Sequence, residues 1–413
     1  MKKWIRTFRQ GDTPGVGLRL RLTPGVKELP WWRNHKEGII LAIVLTLWLR
    51  LVLLVVGYNL AIRFNKLPLT TREMDFSENI PQDRKDPWFY IVQPLHRFDA
   101  LWYEEIAKNN YKNQPLTTAF FPLYPWTVNF FAQILHLSYP VSAFFLNTIF
   151  TFLVFYLLYY WVQMEHGRKI ALRTILIYAF SPVSFFLLVP YAEPLLFLFI
   201  LFSFIFAKYN RVMLSIISGC FAALVKPYGA VVVVPLSLIL LSKNMSLKKR
   251  IGIFLLLVLI PMTFFVVNKY QEYMTSSISS TLNAQFLWGA KIPLPWEPFL
   301  SEIQIFLRNP FDLPNSLNLI MVVLSVIFLI NTWKKISWRY WLYTLFLFSV
   351  SYLLVMRHGV LFSFSRHALA FFPMFAFLGN FKVGKTAEVI YLATSVFITI
   401  MLFVWYTFGF FVA

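Results

Sequence analysis

Cysteine is almost missing from this chain: Cys220 stands alone in an apolar run, which excludes an intrachain disulfide and any cysteine-rich metal site. Charge is scarce as well. Only 14% of the 413 residues are charged and 58% are hydrophobic, whereas a soluble domain carries about 25% charged residues. Acids are scarcer than bases, 18 Asp and Glu against 38 Lys and Arg, which leaves a net charge of +20. The bases sit in short clusters between apolar segments and not on one face, so they read as topology signals and nucleic acid is not expected as a partner. His, Asp and Glu show no spacing of the kind metalloenzymes use, and no metal is expected. Residues 1–37 contain Pro14, Pro24 and Pro30 but no short apolar stretch followed by a cleavage site, so no removable signal peptide is expected.

What the chain has in abundance is long apolar runs. From Gly38 almost to the C-terminus, runs of about 17 to 25 residues recur, each able to cross roughly 30 Å of hydrocarbon, and the mean hydropathy is +0.63. The expectation is an all-α polytopic membrane protein of about 10 to 12 membrane segments. Residues 1–37 form a basic cytoplasmic segment and 38–413 the membrane domain. Basic clusters at Lys2 to Lys36, Arg168 to Arg173, Lys243 to Arg250 and Lys334 to Arg339 belong in the cytoplasm by the positive-inside bias. A first extracytoplasmic loop, 63–119, then carries eight of the 18 acids, and a second, 268–316, should fold over it.

Several runs are interrupted, at Ser181-Pro182, Pro190 to Pro194 and Lys226-Pro227-Tyr228-Gly229. Irregular backbone at membrane depth survives only when buried in protein or lining a wet cavity, so the breaks point to a shared site. Arg50, inside the first span, must face other helices or water. Parity raises a difficulty: the clusters at Arg168 and Lys208 cannot both be cytoplasmic if every apolar segment from Phe120 to Ala207 crosses. At least one is interfacial or re-entrant.

In the first loop, Trp102, Ile106 and Asn110, with Tyr103 and Ala107, fall at helical spacing. This predicts an interfacial helix with Asp99 near its start, where the carboxylate is either a cap for the first-turn amides or a functional group. Glu104 and Glu105 are adjacent and point to different sides, and at least one should be solvated. Glu193, at the end of an apolar run, is either an embedded functional carboxylate or an exterior-loop acid. Lys226 and Arg366 read either as site cations or as snorkelling residues. Gln285, Trp288 and Trp296 are either sugar or headgroup contacts or part of an aromatic belt.

The stretch Arg97-Phe98-Asp99-Ala100-Leu101-Trp102-Tyr103, with Ile106-Ala107, Asn110-Tyr111 and Ala119-Phe120-Phe121-Pro122-Leu123-Tyr124-Pro125, resembles the signature of the PIG-V family of glycosylphosphatidylinositol mannosyltransferases and their bacterial relatives. Phe98 stands where the family has Trp, and Asn110 where it has Gly. Ser181-Pro182-Val183-Ser184 leading to Tyr191-Ala192-Glu193-Pro194, Lys226-Pro227-Tyr228-Gly229, Ala284-Gln285-Phe286-Leu287-Trp288 and Ser365-Arg366-His367 resemble later family elements in the same order, with Pro194 for Ser and Lys226 for Arg. The resemblance implies a GT-C type bundle with a large first loop holding the catalytic Asp. It also implies a polyprenyl-phosphate sugar donor, with mannose as the sugar, and no cofactor is expected.

Inverting transfer from such a donor needs a carboxylate to take the proton of the attacking acceptor hydroxyl, and Asp99 is the candidate. The departing lipid phosphate needs donors, for which Arg366, His367, Lys226, Arg357 and His358 lie on the expected outer side. Trp102, Tyr103, Glu193, Gln285 and Trp288 are candidates for sugar or acceptor contacts. The acceptor is expected to be a membrane lipid or a cell-envelope glycan, and the location a bacterial plasma membrane with the site facing outward. The rival class is a secondary transporter or lipid flippase, since broken helices and embedded charges serve those too. A second alternative keeps the fold and changes the sugar.

Overall fold

The computed structural model describes residues 31–64, 79–81, 83–112, 115–242, 245–275, 281–287, 289, 293–333, 336–353, 356–357 and 360–412. Among these the chain is helical apart from one short antiparallel pairing, β1 (Met356–Arg357) with β2 (Val360–Leu361).

Helix α1 (Trp31–Arg63) opens the fold. It is followed, at its far end, by α2 (Asp99–Asn109) and α3 (Leu123–Leu135). These two lie side by side: Asn129 donates to the Ala107 carbonyl at 3.1 Å and the Trp126 indole to Asn110 at 3.3 Å. His136, in the left-handed conformation at φ 53°, ends α3 and turns the chain into α4 (Tyr139–His166). Helices α5 (Arg168–Ala179) and α6 (Glu193–Lys208) go out and back. Helices α7 (Val212–Val225) and α8 (Val233–Leu240) repeat that path. Then come α9 (Leu247–Thr275), α10 (Thr281–Leu287), α11 (Glu297–Arg308), α12 (Leu313–Thr332) and α13 (Trp338–Leu353). After the β pairing, α14 (Phe372–Gly379) and α15 (Lys385–Thr407) close the described chain.

Five of these, α1, α4, α9, α12 and α15, contain stretches long and apolar enough to cross a membrane. Among the described residues the chain is thus an all-α protein with five candidate spans, accompanied by two shorter apolar helices, Val212–Val225 and Pro227–Leu240, and the expected count of 10 to 12 segments is not shown. Prolines cause the shortening. Pro182, Pro190 and Pro194 separate α5 from α6, Pro227 separates α7 from α8, and Pro373 opens α14. A helix interior loses a donor at each proline and meets a clash one turn back.

The basic ends gather at one end of the bundle. Arg168 pairs with Glu37 at 2.6 Å, and Tyr159 donates to the same carboxylate at 2.8 Å. Lys208 pairs with Glu165 at 2.8 Å, Tyr340 donates to Glu165 at 3.1 Å, and Arg339 donates to Ser242 at 3.3 Å. Arg168 and Lys208 therefore share one end. The reason is α3: 13 residues rise only about 20 Å, and it stays with α2 at the opposite end.

The first loop differs from expectation. Helix α2 is not a surface helix, because Ala100 to Ala107 are all buried, including both glutamates. Glu104 pairs with His96 at 2.6 Å and Lys108 at 2.8 Å, while Glu105 accepts from Asn109 at 2.9 Å and Asn79 at 3.4 Å. Burial pushes the Glu104 carboxyl up, but His96 and Lys108 outweigh it and hold the group below the usual carboxylate range. Lys108 and Asn109 belong to the helix itself, whereas His96 and Asn79 come from the preceding segment, which periodicity within 99–110 does not reveal.

Candidate functional site

The break between α5 and α6 is built to be buried. Asn147 of α4 donates to the Tyr191 carbonyl at 3.0 Å and also to Val189, and Thr151 donates to Leu187 at 2.7 Å. Arg50 of α1 donates to the Leu188 carbonyl at 2.9 Å and to Thr148 at 2.6 Å. Carbonyls freed by the missing helix thus find side-chain donors on neighbouring helices, as a low-dielectric interior demands. Glu193 emerges from this break as the first residue of α6, fully buried, where the helix dipole favours a negative charge.

The second break delivers a cation. Lys226 is extended (φ −150°, ψ 147°), as a residue before proline prefers, and ends α7. The chain turns back at once, with the Gly229 amide bonded to the Lys226 carbonyl at 2.9 Å. Only glycine fits there, since a Cβ on Gly229 would lie 2.2 Å from the Ala222 carbonyl oxygen. The Lys226 amine reaches Glu193 Oε1 at 2.6 Å.

Arg366 lies on the one-turn helix Phe364–His367, entered through Ser363 at φ 62°. Asn318 of α12 donates to the Leu361 carbonyl at 2.8 Å and accepts the Ser365 amide at 2.9 Å. Glu302 of α11 accepts the Leu361 amide at 2.8 Å. So fixed, Arg366 donates from Nη1 to Asp99 Oδ2 at 3.0 Å. Its Nε lies 3.2 Å from Glu193 Oε1, close enough for charge pairing but not aligned as a hydrogen bond. The rings of Tyr191 and Phe186 flank the guanidinium at 5.0 and 5.3 Å.

Asp99 is the first residue of α2 and follows Phe98, held at φ 50°, a strained position for a bulky residue. Tyr406 of α15 donates to the Leu95 carbonyl at 2.9 Å and the Arg97 carbonyl at 3.2 Å, which pins the approach to Asp99. The carboxylate is turned to Arg366 and is the most open member of the group, its side chain 16% exposed against 7% for Arg366 and 0% for Glu193. Tyr103 stands beside the cluster: burial pushes its phenol well up, and Glu193 and Asp99 add to that against Arg366.

Four charged side chains, Asp99, Glu193, Lys226 and Arg366, thus meet from positions spread over most of the sequence. His367 is one side chain removed: its ring centroid is 5.1 Å from that of Tyr228, whose ring in turn lies 5.9 Å from the Lys226 amine. Among the described residues, Glu193 Oε2, Tyr228 Oη and Ser365 Oγ are buried without a hydrogen-bond partner, and buried polar atoms in native proteins are generally bonded. A polar ligand would supply partners. Comparison with family models, curated proteins and solved structures gives no match. The functional reading therefore rests on this geometry and on the sequence motifs.

Other candidates lie apart from the group or beyond view. Trp102 stacks on Phe120 at 5.9 Å and packs with Ile80 and Leu101, a core role in the first loop. Gln285 falls on α10 and Arg357 on β1, with both side chains outside the described part, and Trp288 and His358 lie outside the described residues. Sequence reasoning missed Asn147, which braces the α5–α6 break, and Asn318 and Glu302, which hold the approach to Arg366. Their only signal was a polar residue within or beside an apolar helix.

Proposed function

We propose that this chain is an integral-membrane inverting glycosyltransferase that moves a sugar, mannose in the first instance, from a polyprenyl-phosphate donor to a lipid or envelope-glycan acceptor. The observation that carries the reading is the contact of Asp99 with Arg366, a partly exposed carboxylate beside a buried pair of cations.

In this reading the acceptor hydroxyl oxygen attacks the anomeric carbon, and the bond from that carbon to the phosphate oxygen breaks. Asp99 takes the hydroxyl proton, and the polyprenyl phosphate leaves with the electron pair. Arg366 and Lys226 supply N–H donors to the phosphate oxygens, where low dielectric strengthens each bond. Glu193 holds the two cations together, since alone they would repel. The GT-C architecture implied by the motif resemblance accords with an acid in the first loop. Positive-inside bias favours the basic end in the cytoplasm and the cluster on the outer side, and the motif resemblance to the bacterial branch favours a bacterial plasma membrane.

The test uses purified protein with radiolabelled polyprenyl-phosphate mannose and the corresponding glucose and arabinose donors. Native protein should transfer one sugar, and Asp99→Asn should lower kcat at least about a hundredfold, the scale of general-base loss. Transport of a lipid by both proteins, with no transfer by either, would replace this reading with the flippase one.

A further inference from the structure

Phe98 carries backbone strain one residue before Asp99. At φ 50° and ψ −115° it occupies the first corner of a type II′ turn, where glycine rests without cost and a residue with a Cβ does not. Such a conformation persists only when its surroundings over-determine it. Here those surroundings are the C-terminal end of α15. Tyr406, fully buried, donates to the Leu95 and Arg97 carbonyls. The Arg97 carbonyl also accepts the Ala100 amide at 3.1 Å, so the first turn of α2 starts on a peptide group that Tyr406 holds. The Phe98 ring packs on Tyr406 at 5.5 Å and on Phe411 at 5.8 Å. Tyr406 also meets Phe186 at 6.0 Å and Tyr191 at 6.2 Å, the two rings that flank Arg366. One side chain thus touches both the backbone leading to Asp99 and the rings around its partner.

We propose that Tyr406 is a positioning residue: its hydroxyl holds Phe98 in the strained conformation, and that conformation aims the Asp99 carboxylate at Arg366 and at the acceptor hydroxyl. The proposal rests on the reading of Asp99 as the base. Relaxing Phe98 to the ordinary range, roughly −60 to −160°, turns φ by at least about 110° and swings the next residue away from Arg366. Arg366 itself stays, because Asn318 and Glu302 fix its approach from the other side. Loss of the Tyr406 hydroxyl therefore displaces the base and leaves the phosphate-binding cations in place. Tyr406 lies outside every motif named above, so no motif resemblance points to it.

The experiment measures, on the full chain in detergent, sugar transfer from the radiolabelled mannose, glucose and arabinose donors and hydrogen exchange of the same preparations. Tyr406→Phe removes the hydroxyl and keeps the ring. Its kcat should fall about tenfold to a hundredfold, the scale of a reacting group displaced by about 1 Å, with donor KM within about twofold of native. Adding Phe98→Gly should bring kcat back to within about threefold of native, because glycine holds this φ unaided. Adding Phe98→Ala, which loses the same ring but keeps a Cβ, should not. Exchange of 97–101 should quicken about tenfold in Tyr406→Phe while that of α9 is unchanged, the expected result of stranding a buried carbonyl. Equal kcat in the glycine and alanine double variants, a loss seen only in donor KM, or native exchange of 97–101 in Tyr406→Phe would overturn the proposal. Absence of transfer by the native protein from every donor would sink the transferase reading, and exchange alone would then decide whether Tyr406 holds the turn.

Discussion

Glu193 touches two cations at once, and its replacement should show what it does. Glu193→Gln leaves Lys226 and Arg366 facing each other in a buried site. Breaking a buried pair from one side costs about 3 to 5 kcal/mol. Denaturant unfolding in detergent should show that loss, and adding Lys226→Met should restore part of it. An additive double variant would mean that the two residues do not interact. Glu302 is a different case. Burial first, opposed by its bond to the Leu361 amide and reinforced by Asp312, pushes its carboxyl up to about 7 from an ordinary 4.5. Between those values the folded protein keeps a proton that the unfolded chain has released, so stability falls as pH rises through this window and the loss is complete above about 7. Glu302→Gln, which can still accept the Leu361 amide, should remove about 2 to 3 kcal/mol of that pH dependence. Unfolding of both proteins at pH 4.5 and 8 checks the sign.

Legibility differs from residue to element. Asp99, Glu193, Lys226 and Arg366 were readable because each stands beside a break or in a dense motif of an otherwise apolar chain. Their mutual contact was not, since a single sequence carries no distance. The breaks themselves were visible as prolines, but not the groups that make them tolerable. Asn147 looks like a mild fault in an apolar helix, yet it accepts the Tyr124 hydroxyl at 3.0 Å while donating to two carbonyls of the α5–α6 break. Asn147→Leu keeps the size and strands those carbonyls, each worth about 1 to 3 kcal/mol when left unsatisfied. Hydrogen exchange of 180–192 should accelerate in this variant while that of α9 stays as in the native protein. Unchanged exchange in the break would show that other groups hold it.

At the scale of the molecule, apolar length alone did not separate the five helices long enough to cross from the shorter ones. Helices α2 and α3 pack together at the end that carries Asp99, which resolves the parity conflict that the basic clusters posed. A Cys220→Ala background with single cysteines at Lys85, His136 or Lys169, all exposed positions, provides the check. Impermeant maleimide should label Lys85→Cys and His136→Cys from one face of sealed vesicles and Lys169→Cys from the other. Labelling of Lys85→Cys together with Lys169→Cys, with His136→Cys labelled from the other face, would mean that α3 does cross.

The site group sums to zero: two positive side chains against two negative ones. An arriving anion thus meets no standing surplus of attraction and is held only by directed bonds. In the proposed transfer, a proton captured by Asp99 would leave one positive charge in excess at the instant the freed lipid phosphate needs a counterion. That proton would have to leave before the tally returns to balance, which would tie release of the spent carrier to reset of the base.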